Sequence, residues 1–128
     1  MILLLNTSTS LCRLTIIDNE DHFEYEWQAD RQLARGLHEF MHTKLQKHGW
    51  DWRDISGIGA YLGPGSFTGL RIGLTVLNTL ADSLDVPIVG AAGDGWHKTV
   101  LLRLEKNEDD RILLPQYGGA AHITKPRK

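Results

Sequence analysis

The chain has a single cysteine, Cys12, among its 128 residues. One thiol excludes an internal disulfide framework and any Cys-x-x-Cys site, and we expect Cys12 to be a buried strand residue. Long hydrophobic runs are also missing. The apolar stretch at residues 2–5 is too short for a signal peptide, and no segment approaches the roughly 18 apolar residues that a membrane helix needs. These absences predict a cytoplasmic protein without membrane contact.

An excess of charge of either sign is missing as well. The 14 Lys and Arg residues stand against 16 Asp and Glu residues, which gives a formal net charge of −2 at pH 7. This balance provides no broad attraction for nucleic acid, and the basic stretch at residues 125–128 is expected to be solvated. The length suits one domain with a modest core.

Glycine is concentrated in one segment, residues 63–73, which reads GPGSFTGLRIG. An uncharged apolar run at residues 55–62 precedes it and predicts a strand buried on both faces. The segment has Gly-Leu-Arg where a Walker loop has Gly-Lys-Ser/Thr, which weighs against a nucleotide site. A sharp turn and a helix N-cap that can hold an anion or a partner's carbonyls are predicted at the signature loop, Gly63, Pro64, Gly65 and Ser66.

The helix predicted at residues 66–84 is apolar over more than half of its circumference. Gly69 and Gly73 fall on one line of this helix, although each interior glycine costs roughly 1 kcal/mol relative to alanine. Close approach of another backbone is the usual reason for such a cost. The sequence leaves two interpretations open: either the sheet of the same domain approaches these glycines, or a helix of another subunit does.

Periodicity predicts the remaining elements. A helix capped by Asp30 is expected to run to about residue 48. The predicted order is β-β-β-α-β-α-β, which describes an α/β domain with a mixed sheet. The strands outside the run at 55–62 are expected near residues 2–5, 11–17, 22–28 and 87–89.

The string GPGSFTGLR, at residues 63–71, resembles the signature of the bacterial TsaB (YeaZ-like) family without a gap. The Thr-Ser-Thr turn after the first strand, Ala-Arg-Gly-Leu-His-Glu at 34–39 and Val-Pro-Ile-Val-Gly at 86–90 are also similar to that family. The resemblance implies a single actin/Hsp70-like (ribonuclease H-like) subdomain. It covers residues 1–93 and 112–128.

The resemblance divides the chain into three parts. It implies an actin-like N-terminal subdomain at 1–93, a reduced second subdomain or linker at 94–111, and a closing strand with a basic tail at 112–128. Family members usually carry a second, similar subdomain, so we interpret this chain as a shortened form. Asn6 stands where actin-like ATPases have a metal-holding aspartate, which weakens an ATPase role.

The function that the resemblance implies is that of a non-catalytic scaffold without a cofactor. Such a subunit pairs with a TsaD-type enzyme, which together with a TsaE-type ATPase adds threonylcarbamoyl to N6 of adenosine 37 in tRNA. Contact with tRNA would come mainly through the partner, and a homodimer is expected when the chain is alone. The predicted partner interface is a face of the second helix: Phe67, Gly69, Leu70, Arg71, Gly73, Val76, Leu77 and Leu80.

A His-Glu-x-x-His string at His38, Glu39 and His42 suggests a different function. Two histidines four residues apart on a helix can ligate zinc while the glutamate acts as general base, so a small zinc hydrolase is an alternative. His48 is too far along the helix to be a third ligand. The competing interpretation is that these histidines only face solvent. A third possibility is a degenerate, homodimeric family member.

Overall fold

The centre of the molecule is a five-stranded mixed sheet in a computed structural model that describes residues 1–116. The strands are β1 (Ile2–Asn6), β2 (Leu11–Asp18), β3 (Asp21–Gln28), β4 (Gly57–Tyr61) and β5 (Ile88–Ala91). The helices are α1 (Leu33–Lys47), α2 (Phe67–Leu84) and α3 (Trp96–Glu105), with single 3-10 turns at Asp30–Gln32 and Trp52–Asp54. The predicted β-β-β-α-β-α-β order is confirmed, and α3 follows it.

The strands lie in the order β3-β2-β1-β4-β5. The first three form an antiparallel meander, and β4 and β5 run parallel to β1. The two parallel connections contain α1 and α2, which agrees with the rule that parallel neighbours need helical crossovers. The sheet therefore has β3 at one edge and β5 at the other.

Alternate residues of β1 divide the core into two layers. Leu3 and Leu5 pack among the buried residues of α1 and α2, whereas Leu4 packs with Val89 and with Val100 of α3. Neighbouring strand side chains point to opposite faces, so a single strand supplies both layers. Cys12 is fully buried in the first layer, as predicted, and burial raises the pKa of its thiol to about 12.

The start of α1 differs from the prediction. Asp30 has a positive φ of 48° and lies in the 3-10 turn, and no side chain caps α1. The Asp30 carboxylate instead accepts a hydrogen bond from Gln28 Nε2 at 2.8 Å. The prediction of an Asp30 cap is therefore wrong, because this local bond to the end of β3 uses the side chain that would have met the helix amides.

The segment after α3 covers the outer side of β5. Asp110 N donates to Ile88 O at 2.8 Å, and Ile88 N donates to Asp109 Oδ1 at 3.1 Å. Arg103 holds Asp110 through two nitrogen–oxygen pairs, at 2.8 and 2.5 Å, and also donates to Gly90 O at 2.9 Å. Bidentate pairing of this kind fixes the orientation of the two side chains and also contributes energy.

Residues 112–116 lie against α2 without forming a strand, and the rest of the predicted closing strand falls outside the described residues. Leu113 is buried, and its backbone N–H and C=O both bond the side-chain amide of Asn78, at 2.8 and 3.0 Å. Gln116 N donates to Leu62 O at 2.6 Å. None of the helices within residues 1–116 is long and apolar enough to span a bilayer.

The pairing of Arg103 with Asp110 predicts an acid-sensitive contribution to stability. Hydrogen bonds from Arg103 lower the pKa of Asp110, so this contribution is present at neutral pH and is lost as the pH falls through the folded-state pKa. We expect Asp110→Asn to lower the free energy of unfolding by about 1–2 kcal/mol at pH 7. In urea titrations the difference from wild type should shrink as the pH falls below about 4, the ordinary pKa of an aspartate, and through the lowered folded-state pKa.

The matched control is Asp94→Asn, which changes an exposed aspartate elsewhere. That variant should unfold like the wild type at both pH values. If Asp110→Asn lowers the free energy of unfolding equally at acid and neutral pH, Asp110 stabilises the fold through its shape and not through its charge.

Candidate functional site

The signature loop is the turn between β4 and α2. Its first residue, Gly63, has φ +131° and precedes a cis peptide bond to Pro64. A Cβ at Gly63 would overlap the carbonyl oxygen of Gln116, and Gly63 O accepts a hydrogen bond from Gly93 N at 2.8 Å. Glycine is required here by both its backbone conformation and the close approach of another chain segment.

The turn between β1 and β2 contacts the other side of the signature loop. Ser66 N donates to Ser8 O at 2.7 Å, and a Cβ at Gly65 would overlap Ser8. Ser66 also caps α2, as predicted, because its hydroxyl accepts from Gly69 N at 3.1 Å. The loop is therefore fixed by its contacts inside the chain.

Thr7 decides between the two interpretations of the helix glycines. It is 3% exposed, and its hydroxyl donates to Gly69 O at 2.7 Å. A Cβ at Gly69 would overlap Thr7 O, and one at Gly73 would overlap Thr7 Oγ1. The approaching backbone belongs to the same domain, so the assignment of Gly69 and Gly73 to a partner interface is wrong: Thr7 already fills their space.

Two further predicted interface residues, Leu70 and Leu77, are fully buried inside the chain. Their assignment to the interface is wrong for the same reason, since they line the core beneath α2. Val76 and Leu80 are partly buried and pack on the core with one side. Among the predicted residues only Phe67 and Arg71 are exposed, with Phe67 54% accessible and the Arg71 guanidinium 5.2 Å from its ring centroid.

A groove of about 370 Å³ follows the exposed side of α2 where it meets α1. We call it the α1–α2 groove; its lining is Ala34, Thr68, Arg71, Ile72, Thr75 and Val76. Ile72 and Val76 lie one helical turn apart and give it an apolar centre, while Arg71 and two threonines give it a polar rim. The sequence predicted Arg71 and Val76 but missed the other four, Ala34, Thr68, Ile72 and Thr75, although the Ile72–Val76 spacing was a usable signal.

A larger cleft of about 870 Å³ continues from this groove toward the β1–β2 turn. It shares Ala34, Thr68 and Ile72 with the groove and adds Thr9, Ser10 and the 3-10 turn before α1. The α1–α2 groove and the cleft together make one continuous concave surface beside the start of α2.

Comparison with known proteins places this geometry in a family. A family model described as "TsaD: tRNA N6-adenosine threonylcarbamoyltransferase" matches residues 27–95, more than half of the chain. The TsaB protein of Escherichia coli is 28% identical over 120 positions, covering 87% of this chain and 51% of that protein. A Pseudomonas aeruginosa structure titled YeaZ matches with a TM-score of 0.67 at 27% identity, covering 71% of this chain and 43% of that one. The chain belongs to this TsaD-related family and is TsaB-like.

Two shorter matches give detail to this TsaB-like assignment. Bacillus subtilis TsaB is 58% identical over 48 residues, covering 38% of this chain and 21% of that protein. A tRNA N6-adenosine threonylcarbamoyltransferase of Trichodesmium erythraeum is 37% identical over 62 residues, covering 48% of this chain and 19% of that one. The chain spans about half or less of the length of the curated relatives that it matches.

In this TsaB-like chain the turn after β1 is closed by its own side chain. Asn6 Oδ1 accepts a hydrogen bond from Ser8 N at 2.9 Å, which forms a local Asx turn. The amide of Ser8 is thereby satisfied inside the turn. Its carbonyl oxygen accepts a hydrogen bond from Ser66 N, so both backbone polar groups of Ser8 are bonded inside the chain.

The His-Glu-x-x-His string packs against Trp52. The rings of His38 and His42 lie 4.7 and 5.2 Å from the Trp52 ring, and His42 Nε2 is 3.2 Å from Asp51 Oδ1. Within residues 1–116 no group of three or more His, Cys, Asp or Glu side chains could hold a metal ion. His48 contacts Tyr25, Phe23 and Trp50 instead. These contacts support a packing role for His38, His42 and His48.

The contact between Gly73 and Thr7 predicts that the substitution Gly73→Ala lowers the stability of the fold. Alanine favours helix by roughly 1 kcal/mol, but its methyl group would overlap Thr7 Oγ1 and lie 2.9 Å from Thr7 Cγ2. We expect a net loss of about 1–3 kcal/mol in the free energy of unfolding, measured by urea denaturation.

A double-mutant cycle isolates the cause. In a Thr7→Ala background, which removes the overlapping atoms, Gly73→Ala should cost at least about 1 kcal/mol less than in the wild type. Equal costs in both backgrounds would show that the hydroxyl of Thr7 is not what excludes a side chain at position 73.

Proposed function

We propose that the chain is a non-catalytic subunit in the biosynthesis of threonylcarbamoyladenosine in tRNA, and that it acts by binding a TsaD-type subunit. The observation that carries this proposal is the α1–α2 groove, an exposed apolar surface on the helices that the family model covers. Ile72 and Val76 at its centre are half-buried and pack against the core with one side, while the other four lining residues are exposed.

Two properties of the chain support pairing with a relative of itself. The family model that matches residues 27–95 bears the name of the transferase, so the two subunits share this part of the fold. Related folds that pair through equivalent helices form a nearly symmetric contact, in which each groove meets the same kind of surface. An apolar centre with Arg71 at its rim fits the composition of such interfaces.

Other properties support a scaffold role. The β1–β2 turn and the signature loop are bonded to each other, and His42 of α1 is stacked on Trp52. A net charge of −2 gives little attraction for tRNA, so the partner would provide most of the tRNA contact. A homodimer through the same groove is expected in the absence of the partner, since an exposed apolar surface is stabilised by being covered.

The test is Thr75→Arg against Thr99→Arg. Both threonines are exposed on helices, but Thr75 lines the α1–α2 groove, whereas Thr99 lies on α3 on the opposite face of the sheet. Binding to the TsaD-type subunit of the same organism is measured by calorimetry. We expect Thr75→Arg to weaken this binding by about tenfold or more. Thr99→Arg should bind like the wild type.

Light scattering after size-exclusion chromatography completes the experiment. A dimer of the chain alone that Thr75→Arg dissociates would support the same surface for both assemblies. A wild type that folds but binds no TsaD-type subunit would contradict the proposed function. Binding that is unaffected by Thr75→Arg would place the contact outside the groove.

A further inference from the structure

A small polar cavity of about 170 Å³ lies on the face of the sheet that α3 covers. Its floor is formed by two cross-strand pairs, Arg13 opposite Glu26 and Thr15 opposite Glu24, whose side chains point to the same face. Its wall is the first turn of α3, with Trp96 and His97. The cavity is on the opposite side of the sheet from the α1–α2 groove, so nothing in the proposed function uses it.

The hydroxyl of Thr15 is the most unusual group in this cavity. Thr15 is only 5% exposed, and within residues 1–116 its side chain makes no hydrogen bond. Buried polar side chains nearly always have a partner, and each exception calls for an explanation. A hydroxyl can both donate and accept, so it can bond either end of a polar ligand.

Both signs of charge face the same small volume. Glu24 has no ion-pair or hydrogen-bond partner among the described residues, and it lies near His97. Arg13 Nε contacts Glu26 at 3.4 Å, but both side chains are more than half exposed, and such pairs contribute little. The guanidinium of Arg13 therefore remains available to a second carboxylate at small cost.

His97 contributes a neutral ring. Burial lowers the pKa of His97, while the nearby charge of Glu24 acts in the opposite direction and His22 lowers it further. The imidazole is therefore uncharged at neutral pH. The centroid of its ring lies 4.3 Å from that of the Trp96 ring. The cavity combines one cation, two anions and an aromatic wall.

We propose that this cavity binds a small zwitterion of the α-amino acid class. The ligand carboxylate pairs with Arg13, its ammonium group pairs with Glu24, and its polar atoms satisfy Thr15. A volume of 170 Å³ corresponds to about five or six water molecules, well below the roughly 300 Å³ at which pockets for drug-sized ligands begin. Trp96 lines the same cavity, and an aromatic face there favours a cationic group.

The experiment is a titration of the ¹⁵N-labelled chain followed by NMR, with three probes of similar size. L-serine carries both charges, ethanolamine only the ammonium group and L-lactate only the carboxylate. L-serine should give saturable shifts at residues 13–15, 24–26 and 96–97, and the other two probes should bind at least about tenfold more weakly. No saturable shift with L-serine, or equal binding of ethanolamine, would overturn the proposal.

Variants assign the roles of the three side chains. Arg13→Met and Glu24→Gln should each weaken L-serine binding about tenfold, whereas Arg53→Met, an exposed arginine outside the cavity, should not. Wild-type affinity in either cavity variant would overturn the assignment of that charge.

Thr15→Val tests the hydroxyl with nearly the same shape. Without ligand this variant should be at least as stable as the wild type, because it removes a buried hydroxyl that has no partner. It should also bind L-serine more weakly. A loss of stability, or unchanged affinity, would overturn the role given to Thr15.

Discussion

The contact of the β1–β2 turn with the start of α2 is the constraint on which the rest of the structure depends. Thr7 and Ser8 occupy space that glycine leaves open at positions 65, 69 and 73. This contact fixes α2 against the sheet, and α2 in turn positions α1 and the α1–α2 groove. The position of the α1–α2 groove therefore depends on the buried Thr7 and on three positions that carry no side chain.

The sequence was sufficient for most of the fold. Alternating and helical patterns predicted the sequence of five strands and two helices along the chain, because each pattern reflects a local period that the structure keeps. The cap at Ser66 was also predictable, since its bond to Gly69 is local. Asp30 was misassigned because its carboxylate can bond either the helix amides or the nearby side chain of Gln28, and the sequence pattern does not show which partner it takes.

The candidate site was only partly predictable for a different reason. A helical wheel shows which residues are apolar, but it does not show which side of the apolar arc meets the chain's own core. Leu70 and Leu77 looked equivalent to Val76 until the sheet and α1 were in place. The polar cavity on the α3 face was out of reach altogether, because Arg13, Glu24 and Trp96 come from three separate segments.

The segment that follows α3 covers one edge of the sheet. An edge strand with free backbone groups is a template for strand addition, and proteins commonly block such edges with charge or with a covering loop. Here both devices act at β5, where Asp109, Asp110 and Arg103 occupy backbone groups of the strand. A foreign strand could extend the sheet at β5 only by displacing an ion pair, which protects this edge of the sheet from edge-to-edge aggregation.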